Sequence, residues 1–245
     1  MSPIVWGALQ DVFFPPACTA CGRVLPNAAR PGRGAPELAA FFCPECEVEV
    51  DRLPSGGCRR CAEPGEFLRG RCPRCASHPP PFECAFAPLV HQGAIARAVH
   101  LFKYEDRPEL ADPLARLLAR EATGFLAAAP GGLCAVPLHR SRLRRRRYDQ
   151  AELLTRALAR LARRGRIAAL TRTRRTDRQV GLAEAAREEN LRGAFTATPS
   201  ATGRDVVLVD DVFTTGATAR AAASALLAAG ARSVRVLALA RAFTL

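Results

Sequence analysis

The chain has 245 residues, of which 49% are hydrophobic and 24% are charged. This composition excludes wholesale disorder, because a disordered chain has too few apolar residues to bury a core. The length exceeds that of most single domains, so two domains are expected. No apolar run reaches the roughly 18 residues that a membrane-spanning helix needs. The first apolar stretch, residues 4–14, lacks the basic flank and cleavage site of a signal peptide, so a cytoplasmic protein without a membrane span is expected.

Positive charge is concentrated in the second half of the chain. The formal net charge is +13, from 36 Lys and Arg against 23 Asp and Glu. Residues 1–88 hold 9 Arg and 9 acids, so residues 89–245 hold the other 27 basic and 14 acidic residues and the whole excess. Within that half, residues 139–187 hold 16 Arg against 4 acids, a local +12. Such a cluster indicates a polyanionic partner, either nucleic acid or a phosphorylated small molecule.

Eight of the ten cysteines form four Cys-x-x-Cys pairs near the start of the chain. The pairs are Cys18/Cys21, Cys43/Cys46, Cys58/Cys61 and Cys72/Cys75. Two thiolates three positions apart on a tight turn can bind one ion, and a second pair about 10 to 20 residues later completes a tetrahedral four-thiolate site. The pattern therefore predicts two structural zinc ions. Pairing in sequence order assigns the first two pairs to one ion and the last two to the other, and a cross-braced order is the alternative.

Three other uses of paired cysteines compete with zinc. Disulfides need an oxidising compartment, and a redox pair would not occur four times. Iron–sulfur ligation is the remaining alternative, although zinc is the commoner use of this spacing. The formal charge of residues 1–88 is zero, and it becomes about −4 when eight thiolates bind two zinc ions. An acidic segment is better suited to stabilising a small domain and contacting other proteins than to binding nucleic acid directly.

From about residue 85, strand and helix patterns alternate along the chain. Predicted strands cover residues 86–91 and 133–136, and predicted helices cover residues 95–102, 109–121 and 151–162. This alternation predicts an α/β fold, a parallel sheet with helices on both faces. We therefore expect a zinc-binding domain over residues 1–84 and an α/β domain over residues 85–245.

The strongest ligand-binding pattern follows the apolar run Val206–Val209, which is typical of a strand buried on both faces. Asp210 and Asp211 come next, at the expected carboxyl end of the strand, where open parallel sheets bind ligands. Paired carboxylates accept hydrogen bonds from vicinal hydroxyls, so they suit a ribose. The following residues offer hydroxyls, close backbone approach and the first amides of a helix, which suit a phosphate monoester: Thr214, Thr215, Gly216, Ala217 and Thr218.

Residues 206–218 resemble the 5-phosphoribosyl-1-pyrophosphate (PRPP) signature of type I phosphoribosyltransferases. With the cysteine pairs in front, the whole chain resembles the ComF family (ComFC or GntX-like proteins), in which a double zinc ribbon precedes a type I phosphoribosyltransferase-like domain. Tyr148-Asp149 departs from the usual Phe-Asn of this family. Other positions resemble residues of the family: Lys103, Arg147, Gln150, Gln179, Arg187 and Asn190.

The resemblance implies that the protein binds PRPP together with Mg²⁺. It places the pyrophosphate at a loop formed by Leu138, His139 and Arg140. If phosphoribosyl transfer occurs, Asp210 and Asp211 are the catalytic carboxylates. No residue has the pattern of a dedicated general base. Catalysis would therefore depend on binding the leaving group and stabilising charge in the transition state.

The resemblance also implies a role in natural competence, in which incoming single-stranded DNA is handled together with a helicase-like partner. Arg144 and Arg145 belong to a run of four arginines that cannot all face one pocket, so we predict that they contact DNA phosphates. The alternative function is that of a catalytically active phosphoribosyltransferase in nucleotide metabolism or salvage, without a DNA role.

Overall fold

The computed structural model describes residues 16–25, 38–174, 191 and 193–243. Among the described helices, none is both long enough and apolar enough to cross a bilayer. Three residues that resemble positions of the ComF family lie outside the described residues and stay predictions: Gln179, Arg187 and Asn190.

Five of the described strands form one parallel sheet. In chain order the strands are β1 (Ala85–Phe86), β2 (Leu89–Val90), β3 (Gly132–Ala135), β4 (Leu170–Arg172), β5 (Phe195–Ala197), β6 (Asp205–Phe213) and β7 (Ser233–Arg241). Both β1 and β2 pair with β7, which is followed by β6 and then β3, and every pair in this sheet is parallel. Strands β4 and β5 form a separate antiparallel pair.

Helices cover both faces of the parallel sheet. In chain order they are α1 (Pro44–Glu47), α2 (Pro73–Ser77), α3 (Gly93–Tyr104), α4 (Ala111–Glu121), α5 (Thr123–Ala128), α6 (Arg140–Arg146), α7 (Gln150–Leu161) and α8 (Ala217–Ala228). Three-residue 3₁₀ turns occur at Leu68–Gly70, Pro108–Leu110 and Pro199–Ala201.

The two faces of β6 belong to two hydrophobic clusters because successive side chains of a strand point in opposite directions. Val207 and Val209 pack in the cluster that contains the buried residues of α3, α4 and α7. Val206 and Leu208 pack in the cluster that contains the buried alanines of α8. The predicted α/β fold, with helices on both faces of a parallel sheet, is confirmed.

Strand β6 is longer than the sequence pattern predicts. The expected end at Val209 is wrong, because Asp210 still pairs with Ala238 and Val212 with Ala240 of β7. Two more apolar residues, Val212 and Phe213, follow the carboxylates, and Phe213 is buried at the end of the strand. Asp210 and Asp211 therefore lie within the last four residues of the strand, and their side chains point to opposite faces of the sheet.

The cysteine-rich segment is packed against the rest of the molecule. Phe41 and Phe42 belong to the same hydrophobic cluster as Ile95 and Val99 of α3. A continuous core therefore joins residues on either side of the expected boundary between residues 84 and 85. That boundary stays a prediction.

Candidate functional site

The eight paired cysteines form two four-sulfur groups. The first group is Cys18, Cys21, Cys43 and Cys46, and the second is Cys58, Cys61, Cys72 and Cys75. Within each group the sulfur atoms all lie within 4.8 Å of one another. The prediction of pairing in sequence order is confirmed, and the cross-braced order is wrong.

The spacing of the sulfur atoms fits a metal ion. Cys21 Sγ lies 3.7 Å from Cys43 Sγ, and Cys61 Sγ lies 3.6 Å from Cys72 Sγ. Four sulfurs about 2.3 Å from a tetrahedral zinc ion are about 3.8 Å apart, whereas bonded disulfide sulfurs are about 2.05 Å apart. The groups therefore have the dimensions of metal sites.

Each group combines a tight turn with the start of a short helix. In the first group, the amide of Gly22 donates to the Cys18 carbonyl at 2.9 Å and closes the turn that carries Cys21. In the second group, Cys72 precedes α2, and the Cys75 amide donates to the Cys72 sulfur at 3.5 Å. In the second group a backbone amide therefore points at one of the four sulfur atoms.

The paired carboxylates lie beside the single lysine of the chain. Lys103 Nζ is 2.6 Å from Asp211 Oδ1, and these side chains are only 17% and 10% exposed. Burial raises the pKa of Asp210, and the charge of Asp211 raises it further, whereas Lys103 opposes this effect. The structure therefore brings together Lys103 and the carboxylates, which are about 100 residues apart in the sequence.

A third carboxylate, that of Asp149, faces the same pair. Its Oδ2 accepts a 2.7 Å hydrogen bond from the Leu138 amide, and its Oδ1 accepts a 3.1 Å bond from the Glu152 amide at the start of α7. Burial raises the pKa of Asp149, these backbone amides lower it, and Asp211 adds to the rise. Asp149 thus caps α7 and holds the loop at Leu138 against that helix.

The predicted pyrophosphate loop is organised as the start of α6. His139 Nδ1 accepts a 3.2 Å hydrogen bond from the Ser141 amide and so caps the helix. Arg140, the first residue of α6, is exposed. Since the Leu138 amide donates to Asp149, and the Ser141 and Arg142 amides donate to His139, the groups of this loop best placed to meet a ligand are the arginine side chains.

The five predicted phosphate-binding residues occupy the turn after β6 and the first two positions of α8, and we call residues 214–218 the threonine loop. Gly216 has a φ of 79° and precedes α8. A Cβ atom at Gly216 would lie 2.6 Å from the ring of Phe213, so only glycine fits this position. The Ala217 amide lies 3.4 Å from Thr215 Oγ1, which places both at the positive end of the helix dipole.

A cationic cavity of about 470 Å³ adjoins the carboxylates. Its lining residues are Lys103, Tyr104, Asp106, Arg142, Arg145, Arg146 and Arg147. The exposed Arg144 is not among these lining residues, whereas Arg145 is. The run of four arginines is therefore divided between the cavity and the surface. Lys103 joins the cavity to the carboxylate pair through its contact with Asp211.

Side-chain contacts hold the wall of this cavity in place. Arg146 Nη1 donates to Gln150 Oε1 at 2.9 Å, and its guanidinium lies 4.6 Å from the ring centroid of Tyr104. Arg147, which follows α6 with a φ of 64°, donates to Asp106 Oδ2 at 2.6 Å. Gln150, which resembles a residue of the ComF family, is 1% exposed. It therefore contacts Arg146 from the buried side of the cavity wall.

Two ionisable residues near the carboxylates were missed by the sequence interpretation. Arg172 of β4 is 7% exposed and lies 5.3 Å from the ring centroid of Phe195. Burial and the nearby Arg142 lower its pKa to about 10, and Asp210 opposes this. His91 follows β2, and burial lowers its pKa, as does Lys103, while Asp211 raises it. His91 ends a predicted strand and could have been placed at the carboxyl edge of the sheet, but no pattern singles out Arg172 among its neighbouring arginines.

The family model of the phosphoribosyl transferase domain matches residues 113–242. That segment contains β3, β6, the threonine loop and β7. The chain is therefore a protein with a phosphoribosyltransferase domain.

Relatives extend the match to the cysteine-rich segment. The DNA utilization protein YhgH of Escherichia coli strain K12 is 36% identical over 207 residues, which cover 82% of this chain and 90% of the relative. Competence protein F of Haemophilus influenzae is 29% identical over 209 residues, which again cover 82% and 90%. With its two four-cysteine groups and its phosphoribosyltransferase domain, the chain belongs to the ComF family.

Among solved structures, a glutamine PRPP amidotransferase from B. subtilis complexed with ADP and GMP is similar to part of the chain. The likeness has 23% identity and a TM-score of 0.40. It covers 57% of this chain and 30% of the amidotransferase, so this chain spans about a third of that protein.

Proposed function

We propose that this protein binds PRPP at the carboxyl edge of its sheet and contacts single-stranded DNA through its arginine-rich surface, in a competence-related role. The observation that carries the proposal is the continuity of three features: the threonine loop, the carboxylates with Lys103, and the cationic cavity. Together these features offer an anion site, hydrogen-bond acceptors and a second anion site in one place. PRPP has a phosphate, a ribose and a pyrophosphate in that order.

Each part of PRPP has a proposed partner. The threonine loop receives the 5-phosphate through the amides at the start of α8 and the hydroxyls of Thr214, Thr215 and Thr218. Asp210 and Asp211 accept hydrogen bonds from the ribose hydroxyls. The first turn of α6 at His139 and Arg140 and the cavity arginines receive the pyrophosphate, whose negative charge they match.

Metal ions complete the proposal. The carboxylates of Asp210 and Asp211 would supply oxygen ligands to Mg²⁺, which would neutralise charge on the pyrophosphate when bound. Each four-cysteine group binds one structural zinc ion, since four thiolates at this spacing satisfy tetrahedral zinc.

If the phosphoribosyl group is transferred to an acceptor, the described residues would act by binding the pyrophosphate and stabilising its charge rather than by relaying a proton. Buried Arg172 and the cavity arginines would stabilise the departing pyrophosphate. The names of the relatives favour a DNA-related role, and none favours the alternative of nucleotide metabolism or salvage.

DNA contact is proposed to be with phosphates and independent of sequence. Tyr148, the aromatic residue within the basic stretch 139–187, points inward, because its hydroxyl donates to the Phe102 carbonyl at 2.6 Å. It is therefore not placed to stack on a base. Exposed arginines such as Arg144 remain as phosphate partners on the same surface, and a helicase-like partner would receive the strand.

Arg144→Ala tests the DNA part of the proposal. We expect weaker single-stranded DNA binding for every sequence, and a log–log salt slope flatter by about 0.7, because one phosphate contact is lost. The double change Arg144→Ala, Arg145→Ala should flatten the slope by on the order of one to two units. PRPP affinity should be unchanged by Arg144→Ala and reduced by Arg145→Ala, because only Arg145 lines the cavity.

The matched control is Arg71→Ala, which removes an exposed arginine from the cysteine-rich segment. Fluorescence anisotropy over a salt series measures DNA binding, and calorimetry measures PRPP binding. If Arg144→Ala binds DNA with the same slope as Arg71→Ala, the proposed DNA surface is wrong.

A further inference from the structure

The second cysteine group reaches the threonine loop through one side chain. Arg74 lies on the five-residue helix α2 between two cysteines of this group, Cys72 and Cys75. Its Nη1 donates a 2.6 Å hydrogen bond to the carbonyl oxygen of Thr215. The contact joins residues 141 positions apart in the sequence, so it directly links the cysteine-rich segment to the proposed phosphate site.

A second contact crosses the same junction in the opposite direction. Arg220, in the first turn of α8, donates from Nη2 to the carbonyl oxygen of His78 at 2.8 Å. His78 directly follows α2. The short helix is therefore tied to both sides of Gly216, through Thr215 before it and Arg220 after it.

The ring of Phe213 lies against Gly216 and also packs against Phe82 and Arg241. The ring of Phe82 meets it edge-on, with centroids 6.3 Å apart at 84°. The Arg241 guanidinium lies 5.1 Å from the Phe213 centroid, and Arg241 Nη1 donates to the carbonyl oxygen of Cys61 at 2.7 Å. Arg241 is 4% exposed, so this link between the second cysteine group and the base of the threonine loop is internal.

We infer that Arg74 is a positioning residue through which metal binding at the second cysteine group fixes the threonine loop for phosphate binding. The inference rests on the proposed function. A five-residue helix is too short to be stable alone, so the orientation of α2 depends on its two sulfur ligands. The Arg74 guanidinium in turn holds the Thr215 carbonyl. Because coupling between two sites is reciprocal, PRPP must also strengthen metal binding at this group.

The first test compares zinc-loaded full-length protein with Arg74→Ala, Arg74→Lys and the control Arg71→Ala. Hydrogen exchange is measured at the amides of residues 214–218 without PRPP. We expect faster exchange in Arg74→Ala, a smaller effect in Arg74→Lys, which keeps a donor, and none in Arg71→Ala. Equal exchange in Arg74→Ala and Arg71→Ala, with two zinc ions retained in both, would overturn the inference.

The second test measures PRPP affinity and zinc release in the same proteins. Arg74→Ala should bind PRPP about tenfold more weakly, a loss of about 1.4 kcal/mol, which is the size expected for one charged hydrogen bond. In the wild type, saturating PRPP should slow the loss of one of the two zinc ions to a chelator. An unchanged release rate for both ions would overturn the reciprocal coupling. A wild-type protein that binds no PRPP would instead refute the proposed function, and the exchange measurement would still decide whether Arg74 orders the loop.

Discussion

Gly216→Val is expected to lower PRPP affinity by at least about 100-fold, or about 2.7 kcal/mol, without unfolding the protein. A left-handed conformation costs a non-glycine residue about 1–2 kcal/mol. The new side chain also meets the Phe213 ring, which cannot move aside easily because Phe82 and Arg241 hold it. The loop must therefore shift, and its amides and hydroxyls lose their alignment. Calorimetry with PRPP measures the loss, and far-UV circular dichroism verifies the fold.

Gly203→Val is the matched control. Gly203 also has a positive φ, 69° against 79° at Gly216, but no atom of another residue lies within 4 Å of the position that a Cβ atom would take there, its chain neighbours aside. It precedes β6, at the opposite end of the strand from the threonine loop. This variant should carry the backbone strain alone and bind PRPP as the wild type does. Equal PRPP binding by the two variants would contradict the assignment of the phosphate site.

Cys72→Ser is expected to reduce the zinc content from two ions to one and to destabilise residues 58–75 strongly. Structural zinc contributes about 10–16 kcal/mol to zinc-finger peptides, so the loss of one thiolate should cost several kcal/mol. The sheet should remain folded, because its two hydrophobic clusters lie largely outside this group. PRPP affinity should fall as well, since α2 no longer presents Arg74.

Cys84→Ser is the control for this prediction, because Cys84 belongs to neither four-cysteine group. It should retain two zinc ions and wild-type PRPP affinity. Metal analysis by mass spectrometry and limited proteolysis read out the two effects. Cys72→Ser protein that keeps two zinc ions and resists proteolysis as the control does would show that the second group is not a metal site.

Features that depend on short-range spacing could be predicted from the sequence. The Cys-x-x-Cys pairs identified both four-sulfur groups, because a turn of four residues already brings two sulfurs together. The apolar run Val206–Val209 identified the central strand, and the glycine and threonines after it located the turn into α8. Each Cys-x-x-Cys pair is complete within four residues, and the strand with its turn is complete within residues 206–218.

Features that depend on tertiary contacts could not be predicted. The Leu138 amide donates to Asp149 because β3 and α7 meet in space, and no local pattern encodes that meeting. Arg74 lies between two predicted metal ligands, yet its target, Thr215, is visible only in the folded chain. The end of β6 was misplaced because two adjacent carboxylates suggest a loop, whereas pairing with β7 keeps Asp210 in the strand.

The most direct test of PRPP binding is a calorimetric titration of the zinc-loaded wild-type protein with PRPP in the presence of Mg²⁺, alongside Asp211→Asn. We expect saturable binding of one PRPP per chain and a reduction of about tenfold or more in the variant, because a carboxylate that accepts hydrogen bonds is lost beside Lys103. Asp210→Asn should weaken binding in the same direction. Absence of PRPP binding by the wild type, or equal binding by all three proteins, would contradict the assignment of this edge of the sheet as the PRPP site.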